Sequence, residues 1–383
     1  MKSICAVEGV SASGIKEGKY GLALIRASGE AAGVFTTNLM RAPPVKLMKE
    51  RIRKGWLDAV IVNSGCANAY TGTRGYQDAV AMSGIAAEAL ELPEETIGVA
   101  STGVIGRYLD LALIRDQCTR IAPLLERSER AEEQAAMAIM TTDLIQKHSV
   151  VECDGFTVAG ITKGSGMIAP NMATMLAFLY TDVSVPLKEL REALRLATKR
   201  TFNRVVVDGD TSTNDLALLT STGRAGRVDL KEFQKALEMC CRQLAIQIAV
   251  DGEGASKLLE VLVSGAPDEE QAAMVARTIV ESPLVKTAVY GEDPNWGRVI
   301  AAAGRAGVEF DPDSVDLLIG DGRIVQELVR KGEIVVDLQA AKAVMHGKKV
   351  IFHLDLGNGD GEAVSWGCDL TERYVEINGR YTT

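Results

Sequence analysis

The sequence predicts a large α+β protein of layered sheets and helices, and three observations carry that reading. The 383 residues are 47% hydrophobic and 24% charged, enough core for one big domain or two ordinary ones. Apolar runs of strand length recur along the chain. Helical patterns lie between them, without the strict alternation of a doubly wound parallel sheet.

The expected strands are 59–63, 96–100, 204–207, 258–263, 315–319 and 350–356. Leu187, Leu190, Leu194 and Ala197 recur at helical spacing after Pro186. Asp229 with Glu232 reads as a capping box, opening a helix whose buried face would carry Leu230, Phe233, Leu237, Leu244 and Ile248. Asp268, Glu269 and Glu270 follow Pro267, and acids in a first turn suit the positive end of a helix dipole.

Composition excludes several classes. A net charge of −9 with scattered lysines and arginines argues against nucleic acid or an anionic membrane as partner. Residues 1–8 lack the apolar run of a secretion signal, and no window approaches the length of a membrane span, so a cytoplasmic protein is expected. The cysteines are Cys5, Cys66, Cys118, Cys153, Cys240, Cys241 and Cys368, with no C-x-x-C pair. They read as buried or incidental thiols in a reducing compartment. Cys240 and Cys241 lie in a helical pattern, where neighbours point about 100° apart, so no bridge between them is expected. His148, His346 and His353 have no second histidine or cysteine at ligand spacing, so neither a zinc site nor a histidine-based triad is expected.

Five segments rich in Gly, Thr, Ser, Asn and Asp interrupt the apolar runs: 63–69, 100–106, 163–176, 207–215 and 251–255. Each alone reads as a turn, but five together point to loops gathered around a pocket. Asp208, Asp210 and Asp215 invite a calcium reading, yet Thr213 stands where an EF-hand loop needs Gly, and no glutamate follows at position twelve. Gly103 and Gly106 are too few for a phosphate fingerprint, and no G-x-G-x-x-G or Walker lysine motif follows a strand.

The segment 163–176, KGSGMIAPNMATML, sets Thr174 just before the apolar run 177–180. A threonine hydroxyl is a poor nucleophile without a base beside it. Were the Ala173–Thr174 bond cut, the freed α-amine, with a pKa of roughly 7.7–8.0, would supply that base. The hydroxyl itself could attack the preceding carbonyl if the backbone is held strained, and Gly164 and Gly166 would help to shape such a loop.

These strings, with 101–106 (STGVIG), 207–215 (VDGDTSTND), 251–255 (DGEGA), 286–291 (KTAVYG), 295–298 (NWGR) and 366–370 (WGCDL), resemble the ornithine acetyltransferases, or glutamate N-acetyltransferases, of arginine biosynthesis. The resemblance covers nearly the whole chain. It implies self-cleavage between Ala173 and Thr174, giving an α chain, 1–173, and a β chain, 174–383. It also implies an αββα sandwich, an α2β2 assembly, and transfer of acetyl from N-acetylornithine to glutamate through an ester on Thr174. Thr102 and Gly103 match the pair that stabilises the oxyanion. A Thr-Gly turn suits this, because a hydroxyl and a backbone N–H can point at one oxygen. Lys163 and Glu253 match positions contacting the carboxylate and amine of the amino acid; Thr141, Asn378 and Thr383 match further substrate contacts. Thr142, beside Thr141, leaves that position open by one residue. The family usually carries an Asn where this chain has Cys66, so segment 63–69 is given no direct role. No cofactor is implied, though acetyl-CoA stands as a possible second acetyl donor. The partners expected are the small-molecule substrates and the two chains themselves.

Two other readings stay open on the sequence. A self-cleaving aminopeptidase or amidase would let water replace glutamate, and hydrolysis without glutamate separates it. An amino-acid binding protein would stay uncut, as a single band on a denaturing gel.

Overall fold

The computed structural model describes residues 1–169 and 175–380. In chain order the elements begin with β1 (Ser11–Glu17), β2 (Tyr20–Phe35), α1 (Pro43–Arg51), β3 (Trp56–Cys66), α2 (Gly72–Leu90), β4 (Ile97–Val104), α3 (Leu111–Ile121) and α4 (Glu129–Ile139). Next come β5 (Lys147–Cys153), β6 (Phe156–Lys163), β7 (Leu176–Val183), α5 (Leu187–Arg200), β8 (Val205–Val206), β9 (Leu216–Gly226) and α6 (Leu230–Val250). The remainder is β10 (Leu258–Ala266), α7 (Glu269–Glu281), α8 (Pro283–Tyr290), α9 (Trp296–Gly304), β11 (Asp316–Gly320), β12 (Val325–Arg330), β13 (Glu333–Ile334), α10 (Leu338–Met345), β14 (Lys349–Asp355), β15 (Gly361–Cys368) and α11 (Glu372–Arg380).

Two compact units hold these elements, each a mixed sheet packed with helices, so the layered α+β class is the observed one. Among the described residues, 1–203 and 210–244 make the first unit, and 204–209 and 245–380 make the second. The first unit's sheet runs β4-β3-β2-β9-β7-β6-β5, with β1 also paired to β2. The second unit's sheet runs β13-β12-β11-β14-β10-β15-β8.

Strand alternation explains the first unit's two cores. Leu22, Leu24, Ala59 and Ile61 pack on one face with Ala79, Met82, Ile85 and Ile114 of α2 and α3. Their neighbours Ala23, Ile25, Val60 and Val62 pack on the other face with Ala131, Ala135 and Ile139 of α4. Residues i and i+1 of a strand point to opposite faces, so a sheet buried on both sides reads as a continuous apolar run.

The expected elements stand, with two adjustments. The run 204–207 narrows to the two-residue strand β8 at the edge of the second sheet. In α6, Phe233, Leu237, Leu244 and Ile248 are buried, but Leu230 is half exposed. It is the first residue of the helix and lies in a shallow apolar groove with Ala193 and Phe233, at the rim of the packed face. Asp229 Oδ1 accepts the backbone N–H of Lys231 and of Glu232, and Asp268 accepts that of Gln271, so both acids cap their helices. All seven cysteines are free, and six are buried. No helix among the described residues is long and apolar enough to cross a membrane.

Candidate active site

In the first unit the site forms where β4, β6, β7 and β9 end or begin around a small cavity. Thr102 and Gly103 lie near the end of β4, beside Ser64 and Gly65 of the parallel strand β3. Gly103 has φ +128°, and a Cβ there would meet the Gly65 carbonyl carbon at 2.4 Å, so only glycine fits. Lys163 closes β6 opposite Leu176, the first residue of β7. Thr102, Lys163, Met175, Leu176, Ser212, Asn214 and Asp215 line a cavity of about 20 Å³. That is room for roughly one water, enough for the polar atoms of a reacting centre and not for a whole amino acid.

Segment 210–216 ties both described flanks of the expected cleavage point. On one flank, Ala169 N–H donates to the Asp210 carbonyl at 3.0 Å, and the Thr211 hydroxyl donates to the Ala169 carbonyl at 2.8 Å. On the other, Leu216 N–H donates to the Met175 carbonyl at 3.0 Å. Asn214 binds two more segments: its Nδ2 donates to the carbonyls of Ala67 at 2.7 Å and Ser101 at 2.9 Å. Four of the five polar segments therefore converge in this unit. Segment 63–69, given no direct role, supports the site through its backbone.

Charge at the site is set by burial in competition with neighbouring charges and hydrogen bonds. Asp143 Oδ1 accepts from Lys147 Nζ at 2.8 Å and from Gly164 N–H at 2.6 Å, while Oδ2 accepts from Thr141 N–H at 3.0 Å. Burial pushes this carboxyl up, but the charges of Lys163 and Lys147 and the hydrogen bonds outweigh it and hold the group well below the usual carboxylate range. Asp215 goes the other way. Complete burial raises its carboxyl well above the usual range, against the pull of the Met175 N–H, the Lys163 charge and the hydroxyls of Ser212 and Thr36. Lys16 donates to the Ser64 hydroxyl at 2.8 Å and the Met140 carbonyl at 2.5 Å, and burial lowers its ammonium to about 8, with the Lys163 charge adding to the fall and Asp143 opposing it.

The second unit contributes a separate cluster. Asn378 Nδ2 donates to Glu253 Oε2 at 2.9 Å. The loop carrying Glu253 is held against α11 because Gly254, at φ +72°, passes so close that a Cβ would meet Tyr374 N at 2.5 Å. The Thr371 hydroxyl also donates to the Gly254 carbonyl at 2.7 Å.

Comparison with known proteins decides the family. The model of the ArgJ family matches residues 7–383. The chain belongs to the ArgJ family. The glutamate N-acetyltransferase of Methanosarcina mazei is 51% identical, over 99% of this chain and 98% of its own. The arginine biosynthesis bifunctional protein ArgJ of Archaeoglobus fulgidus is 46% identical, over 99% of this chain and all of its own length. Among solved structures, the ArgJ protein of Bacillus halodurans superposes with a TM-score of 0.50 at 43% identity, covering 52% of this chain and 96% of that one.

Within this ArgJ-family chain, the structure brings Thr102 and Lys163 to one cavity and Glu253 to Asn378. Thr141 does not line that cavity; its backbone meets Asp143, while the Thr142 hydroxyl lies 2.7 Å from that of Ser165. Ala173, Thr174 and Thr383 lie outside the described residues. Sequence reasoning missed Asp143, Asn214 and Asp215 as parts of the site. Asn214 and Asp215 stand in a segment it did single out, but the calcium reading drew attention to charge and not to Asn214. Asp143 has local partners in Thr141 and Lys147, but its link to the site, through Gly164, spans 21 residues.

Proposed function

We propose that this ArgJ-family enzyme cuts its own chain between Ala173 and Thr174 and then moves acetyl from N-acetylornithine to glutamate through an ester on Thr174. The observation that carries this is the cavity: Met175, the neighbour of Thr174 in the chain, lines it together with Thr102 and Lys163. An acyl carbon attacked at Thr174 would then be near the Thr102 hydroxyl and the Gly103 N–H, the donors a tetrahedral oxyanion needs. The names of the relatives from M. mazei and A. fulgidus support glutamate acetylation in arginine biosynthesis.

In the first half-reaction the Thr174 oxygen bonds to the acetyl carbon, its proton passes to the free α-amine, and the amide C–N bond breaks. Ornithine leaves as an amine, taking a proton. In the second half-reaction the glutamate amine attacks the ester, the C–O bond breaks, and the threonine hydroxyl is restored. This route draws on no cofactor.

The sheet supports the expected division into α chain 1–173 and β chain 174–383. Strands β7 and β9, from the second product, lie side by side between β2 and β6, from the first. Two chains so interleaved stay together after a cut. The B. halodurans chain, aligned over 96% of itself on 52% of this polypeptide, is about half as long, as one cleavage product would be. The α2β2 assembly rests on the resemblance, and sedimentation analysis reads it directly. The free cysteines suit a cytoplasmic location.

The test is the acetyl-enzyme. Incubation with N-acetylornithine alone should add one acetyl group, mapped to Thr174, and glutamate should discharge it. Steady-state kinetics should be ping-pong, with parallel double-reciprocal lines. Intersecting lines with an unmodified Thr174 would mean direct transfer between two bound substrates. Acetyl-CoA offered in place of N-acetylornithine reads whether the same hydroxyl accepts a second donor.

The charged contacts have their own expected result. Lys163→Ala and Glu253→Ala should each cost roughly 1.5–3 kcal/mol in kcat/KM, the worth of a hydrogen bond to a charged group. Both variants should keep the wild-type circular dichroism spectrum. Unchanged kinetics in either variant would remove that residue from substrate binding.

A further inference from the structure

Asn214 has no part in the route above, yet it lines the cavity, is 7% exposed and has both polar atoms of its side chain engaged. Its Nδ2 donates to the Ala67 carbonyl at 2.7 Å and the Ser101 carbonyl at 2.9 Å, while Oδ1 accepts the Thr213 hydroxyl at 2.7 Å. Two carbonyls can be met only by N–H donors, so the amide has one orientation. Its backbone is fixed on either side. The Thr213 carbonyl accepts the Ala42 N–H at 2.9 Å, and the Asp215 carbonyl accepts the Thr36 N–H at 3.1 Å.

These bonds close a ring around Thr102 and Gly103. Ser101, on one side of the pair, is tied to Asn214. Val104, on the other side, accepts the Ala67 N–H at 3.0 Å, and the Ala67 carbonyl returns to the same amide. The ladder between β3 and β4 shifts register between Gly65 and Cys66, opposite Gly103, so strand pairing is interrupted just there. One side chain spans the break.

We propose that Asn214 is a positioning residue, whose amide clamps the ends of β3 and β4 and so aims the Thr102 hydroxyl and the Gly103 N–H at a reacting carbonyl. The proposal rests on Thr102 and Gly103 being the oxyanion donors. Such donors act through geometry fixed before the reaction, and small displacements are costly in rate. Aspartate would set an acceptor against both carbonyls, and serine has one hydrogen for two, so asparagine suits the position.

The experiment compares full-length wild type, Asn214→Ala, Asn214→Ser, Thr102→Ala and the double variant of Thr102→Ala with Asn214→Ala. Denaturing electrophoresis gives the cleaved fraction, and thermal melting follows folding. Acetyl transfer from N-acetylornithine to glutamate is measured per cleaved enzyme. Asn214→Ala should melt cooperatively, because the space it frees adjoins the cavity, where a water can donate to both carbonyls. A water lacks the fixed geometry, so kcat should fall about ten- to a hundredfold with KM little changed. Asn214→Ser, with one donor, should fall between alanine and wild type. Thr102→Ala should lose about 10²-fold or more. The double variant should lose much less than the product of the two single losses, since both act through one strand end. A folded Asn214→Ala with wild-type kcat overturns the proposal, and so do single losses that multiply in full. If the alanine variant does not fold, a folded Asn214→Ser with wild-type kcat overturns it equally. If neither folds, the role is structural and the proposal fails. Wild-type kcat in Thr102→Ala would instead sink the oxyanion reading itself, whatever the Asn214 variants do.

Discussion

Thr174→Ala is expected to leave a single 40.9 kDa chain with no acetyl transfer. Both losses have one cause, the missing hydroxyl. Cleavage needs an oxygen to attack the Ala173 carbonyl, and transfer needs the same oxygen to carry acetyl. Removing a catalytic nucleophile costs on the order of 10⁶ in kcat where the comparison has been made in a serine protease, so residual turnover should be undetectable. Thr174→Ser keeps a hydroxyl and should still cleave. The wild-type protein should show two bands under denaturing conditions, with Thr174 at the new N-terminus, yet migrate as one species natively. The interleaving of β7 and β9 between β2 and β6 requires this, because separating the products would strip the ladder bonds from both sides of the inserted pair. Efficient cleavage of Thr174→Ala would refute self-processing through that residue.

Asp143→Ala is expected to destabilise the protein by about 3–5 kcal/mol, the cost of leaving a buried charge without its partner. The Asp143 and Lys147 side chains are both fully buried, 2.8 Å apart, so Lys147 would lose its counter-charge in a place water does not reach. Thr141 and Gly164 would lose an acceptor for their N–H groups at the same time. Replacing both members, Asp143→Leu with Lys147→Met, should recover much of the loss, since apolar packing avoids both desolvation costs. Urea unfolding of the three variants checks this. Acid provides an independent reading. The Asp143 carboxyl lies below its unfolded value near 3.9, so its contribution is fully present above that value and is lost as pH falls from there toward the folded value. Asp143→Asn should therefore lose less stability than wild type on acidification below about pH 4. Equal acid limbs in the two proteins would show that the pair does not govern this range.

Much of the architecture is legible in short stretches of sequence. Asp229 and Asp268 mark helix starts because a cap is a contact across two or three residues. The runs within β3 and β4 are readable because a strand buried on both faces needs unbroken apolar side chains. Those in β10, β11 and β14 bury mainly alternate residues and are readable as short, largely apolar runs. The strings 163–176, 100–106 and 251–255 are distinctive enough to indicate the family and, through it, the expected roles of Thr174, Thr102, Gly103, Lys163 and Glu253. Gly103 is determined locally as glycine, but the reason, the Gly65 backbone 2.4 Å from its absent Cβ, belongs to a neighbouring strand.

What only the tertiary structure decided is which polar residues hold the site together. Asn214 donates to carbonyls 147 and 113 residues away, and Asp143 joins Thr141, Lys147 and Gly164. The Asn214 contacts have no periodicity or spacing to betray them, and nor does the reach of Asp143 to Gly164. The opposite behaviour of Asp143 and Asp215 makes the point most plainly. Both are buried aspartates, yet one is held as an anion by the charges of Lys163 and Lys147, while burial at the head of a central strand raises the carboxyl of the other well above the usual range. An ionisable group takes its charge state from the dielectric and the charges around it, and those are set by what the fold packs against it, not by its neighbours in the chain.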